Sequence, residues 1–102
     1  VGLDARWRDE QGSDLGAVTD PQMVFSRHIQ SSLWSETRCL QFIDPYGDTV
    51  FNQRQIPVLV RELESSEIAV TDAAIKQQIC DVVRLLKSAE GHTHTYAWFI
   101  GD

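Results

Sequence analysis

The sequence predicts an α+β domain, a mainly antiparallel sheet of about four strands with three helices packed on one face. Three observations carry this expectation. Leu3–Arg8 and Thr95–Ile100, at opposite ends of the chain, both read with a period of two, the repeat of a strand. Two internal stretches, near Ile56–Ser65 and after Thr71, repeat their apolar residues at helical spacing. Strands and helices come in runs rather than in strict alternation, which favours helices gathered on one side of an antiparallel sheet. At 102 residues the chain suits a single domain, 1–102, with one thin core.

In Leu3–Arg8, Leu3, Ala5 and Trp7 share one face and Asp4, Arg6 and Arg8 the other. Asp9-Glu10-Gln11-Gly12 is polar and ends in glycine, so it turns. Leu15–Val18 is a short strand candidate that pairs back on the first. Thr19-Asp20-Pro21 opens a helix, with a capping side chain and a proline in the first turn. It is expected to run to about Leu33, with Phe25, Ile29 and Leu33 toward the core and Ser31, Ser32 and Ser35 weakening its end.

Cys39–Ile43 carries little polar material and reads as a central strand. Asp44-Pro45-Tyr46-Gly47-Asp48 is a turn, and Thr49-Val50-Phe51 a strand closing a hairpin on Cys39–Ile43. The helix Ile56–Ser65 tolerates Pro57 near its start and turns Ile56, Leu59, Val60 and Leu63 inward. The last helix is capped by Thr71, with Asp72 favourable against the dipole. Its stripe is Ile75, Ile79, Val82, Val83 and Leu86, and Gly91 stops it. In the final strand Tyr96, Trp98 and Ile100 oppose Thr95, Ala97 and Phe99, so both faces carry bulk. It belongs inside the sheet, beside Cys39–Ile43.

Fifteen acidic residues against nine basic ones give a formal charge of -6. Such a surface repels phosphate, so nucleic acid and anionic membranes are not expected partners, whereas a basic protein is attracted. No apolar run approaches the about 20 residues of a membrane span. Val1–Arg8, with Asp4, Arg6 and Arg8, does not read as a signal peptide. Cys39 and Cys80 lie far apart among apolar neighbours, the pattern of buried free thiols in a cytoplasmic protein, with a disulfide unsupported.

No GxSxG, P-loop, GxGxxG or HExxH motif occurs, so no cofactor is expected and no catalytic residue is assigned. The balance leans away from an enzyme. The densest polar segment nominates Asp44, Tyr46, Asp48 and Asn52 as ligand-binding candidates: two carboxylates within five residues can bind a cation or move protons. The plainer account is turn chemistry, with Asp44 accepting backbone N–H groups. His92 and His94 would share a face if extended and could then share a metal ion. Two ligands are too few for a site, and exposed loop histidines are the simpler account. Trp34, among serines at a weak helix end, is an interface candidate.

The segment Cys39-Leu40-Gln41-Phe42-Ile43-Asp44-Pro45-Tyr46-Gly47-Asp48-Thr49-Val50-Phe51-Asn52-Gln53 resembles a family of uncharacterised small bacterial proteins, and His94–Asp102 resembles their ending. Members occur as lone small genes, including integron gene cassettes and immunity-like contexts. The resemblance implies a bacterial, cytoplasmic accessory protein and carries over no catalytic residues. Three functional expectations follow. The first is a protein-interaction module, immunity- or antitoxin-like, that covers a basic partner. The second is a small-ligand-binding or enzymatic domain using the Asp44–Asn52 loop. The third is a homo-oligomeric accessory protein whose assembly supports the thin core.

Overall fold

The computed structural model describes residues 2–31 and 34–101. Four strands form one antiparallel sheet: β1 (Asp4–Asp9), β2 (Asp14–Val18), β3 (Asp48–Phe51) and β4 (Thr95–Ile100). Their order is β2-β1-β4-β3, so the two ends of the chain pair at the sheet centre. Three helices, α1 (Val24–Ser31), α2 (Ile56–Ile68) and α3 (Ala73–Ala89), complete the α+β architecture that the patterning predicts.

Period-two patterning decides which face of the sheet is covered. In β4 Thr95, Ala97 and Phe99 are buried, while Tyr96, Trp98 and Ile100 on the other face are half-buried. In β1 Ala5 is buried and Asp4, Arg6 and Arg8 lie on the open face. The helices turn their stripes onto the buried face: Phe25 and Ile29 from α1, Ile56, Leu59, Val60 and Leu63 from α2, Ile79, Val82, Val83 and Leu86 from α3. Phe99 is the hub. It stacks on Phe25 with ring centroids 6.1 Å apart and meets Phe51 edge-on at 5.9 Å. Each such ring, fully buried, contributes about 1.5–3 kcal/mol by area.

Several boundaries differ from the sequence expectations. Cys39–Ile43 is not a strand. It is an irregular segment with a 3₁₀ turn at Leu40–Phe42, and the neighbours of β4 are β1 and β3. Its apolar residues are divided: Cys39, Leu40 and Ile43 go into the core and Phe42 points to solvent. Burial at the two ends with exposure between does not follow a period of two. The predicted hairpin with Thr49–Phe51 is therefore not formed.

The first helix begins at Val24, not at Pro21. Asp20–Met23 forms a turn closed by the Met23 N–H on the Asp20 carbonyl, with Met23 at φ 59. Asp20 is still the capping residue, reaching forward to the N–H groups of Phe25 and Ser26 at 3.1 and 2.9 Å. The expected helix end at Ser32 and Leu33 lies outside the described residues. α2 runs on through Ser65 to Ile68, because Ser66 returns its hydroxyl to the Leu63 carbonyl instead of ending the helix. At α3 the cap is Asp72 rather than Thr71. Its carboxylate accepts from Ala74 and Ile75, and Thr71 precedes the cap.

The β1–β2 hairpin contains a register shift between Trp7 and Arg8, which brings Asp14 opposite Arg8. Arg6 Nη1 and Arg8 Nε both reach its carboxylate, at 2.9 and 2.7 Å. The Arg8 hydrogen bond holds the Asp14 carboxyl below the usual carboxylate range. Arg8 also lies over the Trp98 ring, 5.1 Å from its centroid, so the open face is laced by charge and π contacts.

Candidate functional site: the loop before the third strand

The segment Arg38–Gly47 has almost no regular structure, yet every backbone N–H in it finds an acceptor. Glu62 of α2 takes three: Arg38 donates to Oε2 at 2.6 Å, and Cys39 and Leu40 donate to Oε1 at 3.0 and 3.2 Å. Gln41 donates to Thr37 Oγ1 at 2.9 Å. Its side-chain amide also contacts the Thr37 carbonyl. Phe42 and Ile43 close the 3₁₀ turn on the carbonyls of Cys39 and Leu40. Asp44 N–H donates to Thr49 Oγ1 at 2.9 Å, and Tyr46 N–H to Asp44 Oδ1 at 2.9 Å. Gly47 N–H returns to the Asp44 carbonyl. Loop backbone left to water would flex, whereas this loop is held by side-chain oxygens from several elements.

The far end of the loop is pinned to the sheet. Gly101 N–H donates to the Gly47 carbonyl at 2.9 Å. A Cβ on Gly101 would collide with the Pro45 backbone, so only glycine permits this approach. The Tyr46 hydroxyl donates to Gln30 Oε1 of α1 at 2.9 Å.

This fixed loop displays two large rings to solvent, Phe42 at 65% exposure and Tyr46 at 68%. Asp44 on the loop and Asp48, the first residue of β3, stand exposed beside them, and no described cation pairs with either. Fixed exposed aromatics beside unpaired carboxylates suit docking against another macromolecule, because little conformational entropy remains to be lost.

The candidates named from sequence fall as follows. Asp44 and Asn52 use side-chain oxygen on their own turns. Asn52 Oδ1 accepts from Arg54 and Gln55 at 2.9 and 3.1 Å, opening α2. Asp48 begins β3 opposite Ile100, with its side chain exposed. Trp34 is half-buried. Its indole N–H donates to the Ile29 carbonyl at 2.8 Å, and its ring meets His28 edge-on at 5.4 Å, so it folds back on α1.

His92 and His94 are not extended as a pair. His94 has φ 60, and the chain turns between them. His92 packs edge-on against Trp7 at 5.2 Å, while His94 Nδ1 lies 3.0 Å from Glu10 Oε1. Among the described residues no group of three or more His, Cys, Asp or Glu is placed to hold a metal ion. Cys39 and Cys80 are free thiols with separate partners. Burial raises the Cys39 pKa, and the neighbouring Glu62 carboxylate adds to it. Cys80 donates to Glu67 Oε1 at 2.9 Å, a hydrogen bond that holds it as a thiol and makes it a poor nucleophile.

Two residues that build the site escape a sequence reading. Phe42 sits in an apolar run whose plainest interpretation is burial. Glu62 acts on residues 22 to 24 positions away, with no local signature. Thr37, four residues before Gln41, does carry a local signal, that of a hydroxyl-capped turn. Comparison with protein-family models, curated proteins and solved structures returned no match. The resemblance of Cys39–Gln53 and His94–Asp102 to small bacterial proteins thus stays an expectation from those residues.

Proposed function

We propose that this chain is a protein-interaction module, immunity- or antitoxin-like in kind, that docks a basic partner through the loop Arg38–Gly47. One observation carries the reading: a loop whose backbone N–H groups all find acceptors nevertheless leaves Phe42 and Tyr46 about two-thirds exposed. A thin core would gain from burying either ring. Holding both outward has a use if a partner covers them. Unpaired Asp44 on the loop and Asp48 beside it, with the overall charge of -6, select a cationic partner.

The test is titration calorimetry against the purified basic products of neighbouring genes, at low and at raised salt. Binding is expected to weaken with salt, and Phe42→Ala or Tyr46→Ala to lose about 30-fold in affinity, the mark of a hot spot near 2 kcal/mol. Binding that survives both substitutions, or none at low salt with any such product, refutes the reading. No described helix is long and apolar enough to cross a membrane.

A further inference from the structure

Arg61 of α2 is exposed and has no described ion pair. Its natural partner along the helix is Glu64, three residues on, but Lys87 of α3 takes that carboxylate at 3.1 Å. Glu62, its neighbour in sequence, spends both oxygens on the N–H groups of Arg38, Cys39 and Leu40. Arg38 is exposed too and likewise has no described carboxylate partner. The two arginines line one groove of about 590 Å³ between α2 and residues 34–38, with Glu36 also on its wall. Its size is that of a small-ligand site.

A second groove, of about 390 Å³, adjoins the first, since Trp34 and Ser66 line both. Its wall is mainly apolar, from Ala69, Val70 and Ile75 beside the Trp34 ring. Its one carboxylate, Asp72, is occupied in capping α3. The polar groups at the boundary are already satisfied. The Trp34 indole N–H donates to the Ile29 carbonyl and the Ser66 hydroxyl to the Leu63 carbonyl, each at 2.8 Å. A charged groove thus runs into an apolar one over a fixed ring.

We propose that the two grooves form one binding site for a medium-chain carboxylic acid, with the carboxylate held by Arg38 and Arg61 and the chain lying along Trp34 toward Val70 and Ile75. Arginine suits the head group because its planar fork pairs with a carboxylate through two parallel hydrogen bonds. The net charge of -6 opposes an anion at long range, so the arginines act at contact distance and the apolar body supplies the remaining attraction. The site is separate from the surface that docks a protein partner, since neither Phe42 nor Tyr46 lines either groove.

The experiment is an amide NMR titration of the intact chain with octanoate, with octanamide as the uncharged isostere and inorganic phosphate as the anion without a chain. Saturable shifts with octanoate are expected at the amides of Arg38, Arg61 and Val70 and at the Trp34 indole N–H, whose peak is identified by its loss in Trp34→Phe. Octanamide and phosphate are each expected to bind at least about tenfold more weakly. Arg38→Gln combined with Arg61→Gln, both at exposed positions, is expected to weaken octanoate at least about tenfold at an unchanged melting temperature. Glu36→Gln removes a like charge from the wall and is expected to tighten binding, whereas Phe42→Ala leaves it unchanged. Absence of saturable shifts at millimolar octanoate, equal binding of octanamide, or full affinity in the double arginine variant overturns the proposal.

Discussion

Asp4 and Asp20 hold each other's segments in place: Asp4 Oδ1 accepts the Asp20 N–H at 2.8 Å, and Asp20 Oδ2 accepts the N–H of Leu3, the residue before Asp4, at 3.1 Å. Asp20 is only 1% exposed and also receives Phe25 and Ser26 N–H. One buried carboxylate thus ties the first strand to the start of the first helix. The adjoining Gly2 has no room for a side chain, since a Cβ there would meet the Asp20 carbonyl.

Asp20→Ala strands three buried donors. It is expected to lower stability by about 3 kcal/mol or more, read as a lower urea midpoint at unchanged slope. Asp20→Asn keeps one acceptor oxygen and should fall between. An Asp20→Ala midpoint equal to wild type would mean that water replaces the carboxylate.

Glu62 is a positioning residue for the loop. Glu62→Ala should cost about 2 kcal/mol and speed amide exchange at Arg38, Cys39 and Leu40 well beyond the rest of α2. Partner affinity should drop although Phe42 and Tyr46 are intact. Uniform acceleration across the whole chain would instead indicate a purely global effect.

Asp44 and Asp48 should separate turn chemistry from contact chemistry. Asp44→Ala removes the acceptor for Tyr46 N–H and is expected to cost about 1 kcal/mol. Asp48→Ala touches no described hydrogen bond and should stay within about 0.5 kcal/mol of wild type, while weakening a basic partner. Thermal melts and calorimetry on the two variants together decide the point. If Asp48→Ala binds unchanged, its carboxylate lies outside the contact.

His28 should set a pH dependence. Its ring is buried between Ser66, with Nε2 3.3 Å from Oγ, and the edge of Trp34; burial lowers its pKa from the ordinary value. In the unfolded chain it titrates near 6.5. The unfolded state therefore binds the proton first. Stability contributed by neutral His28 is full above about 6.5 and is lost as pH falls from there through the lower native pKa. Exposed Asp14 has the same sign but acts lower, below the usual carboxylate range. Urea midpoints from neutral pH down to mildly acid pH should fall for wild type and stay flatter for His28→Gln. Parallel curves would assign the dependence to other groups.

Local repeats were legible where each residue's burial follows from its own element. β1 and β4 alternate as their residues predict, and the stripes of α2 and α3 bury the side chains that their spacing selects. The turn residues also announced themselves: Asp44 and Asn52 do what short polar side chains do beside a free N–H. The candidate site was half legible. Asp44, Tyr46 and Asp48 pointed to the segment that carries the exposed rings, but their role as ligand contacts does not follow from their geometry, and Phe42 was hidden in an apolar run.

By itself, then, the sequence determined the α+β class, the three helices and the alternation of the strands, because these depend on periods repeated within a few residues. Tertiary structure alone decided the strand order, the irregular path of Cys39–Ile43 and the outward turn of Phe42. A short apolar stretch satisfies the same hydrophobic demand as a strand or as a buried loop. What selects between them is where its N–H groups find acceptors, and here the acceptor is Glu62, a residue on another element that no local pattern could nominate.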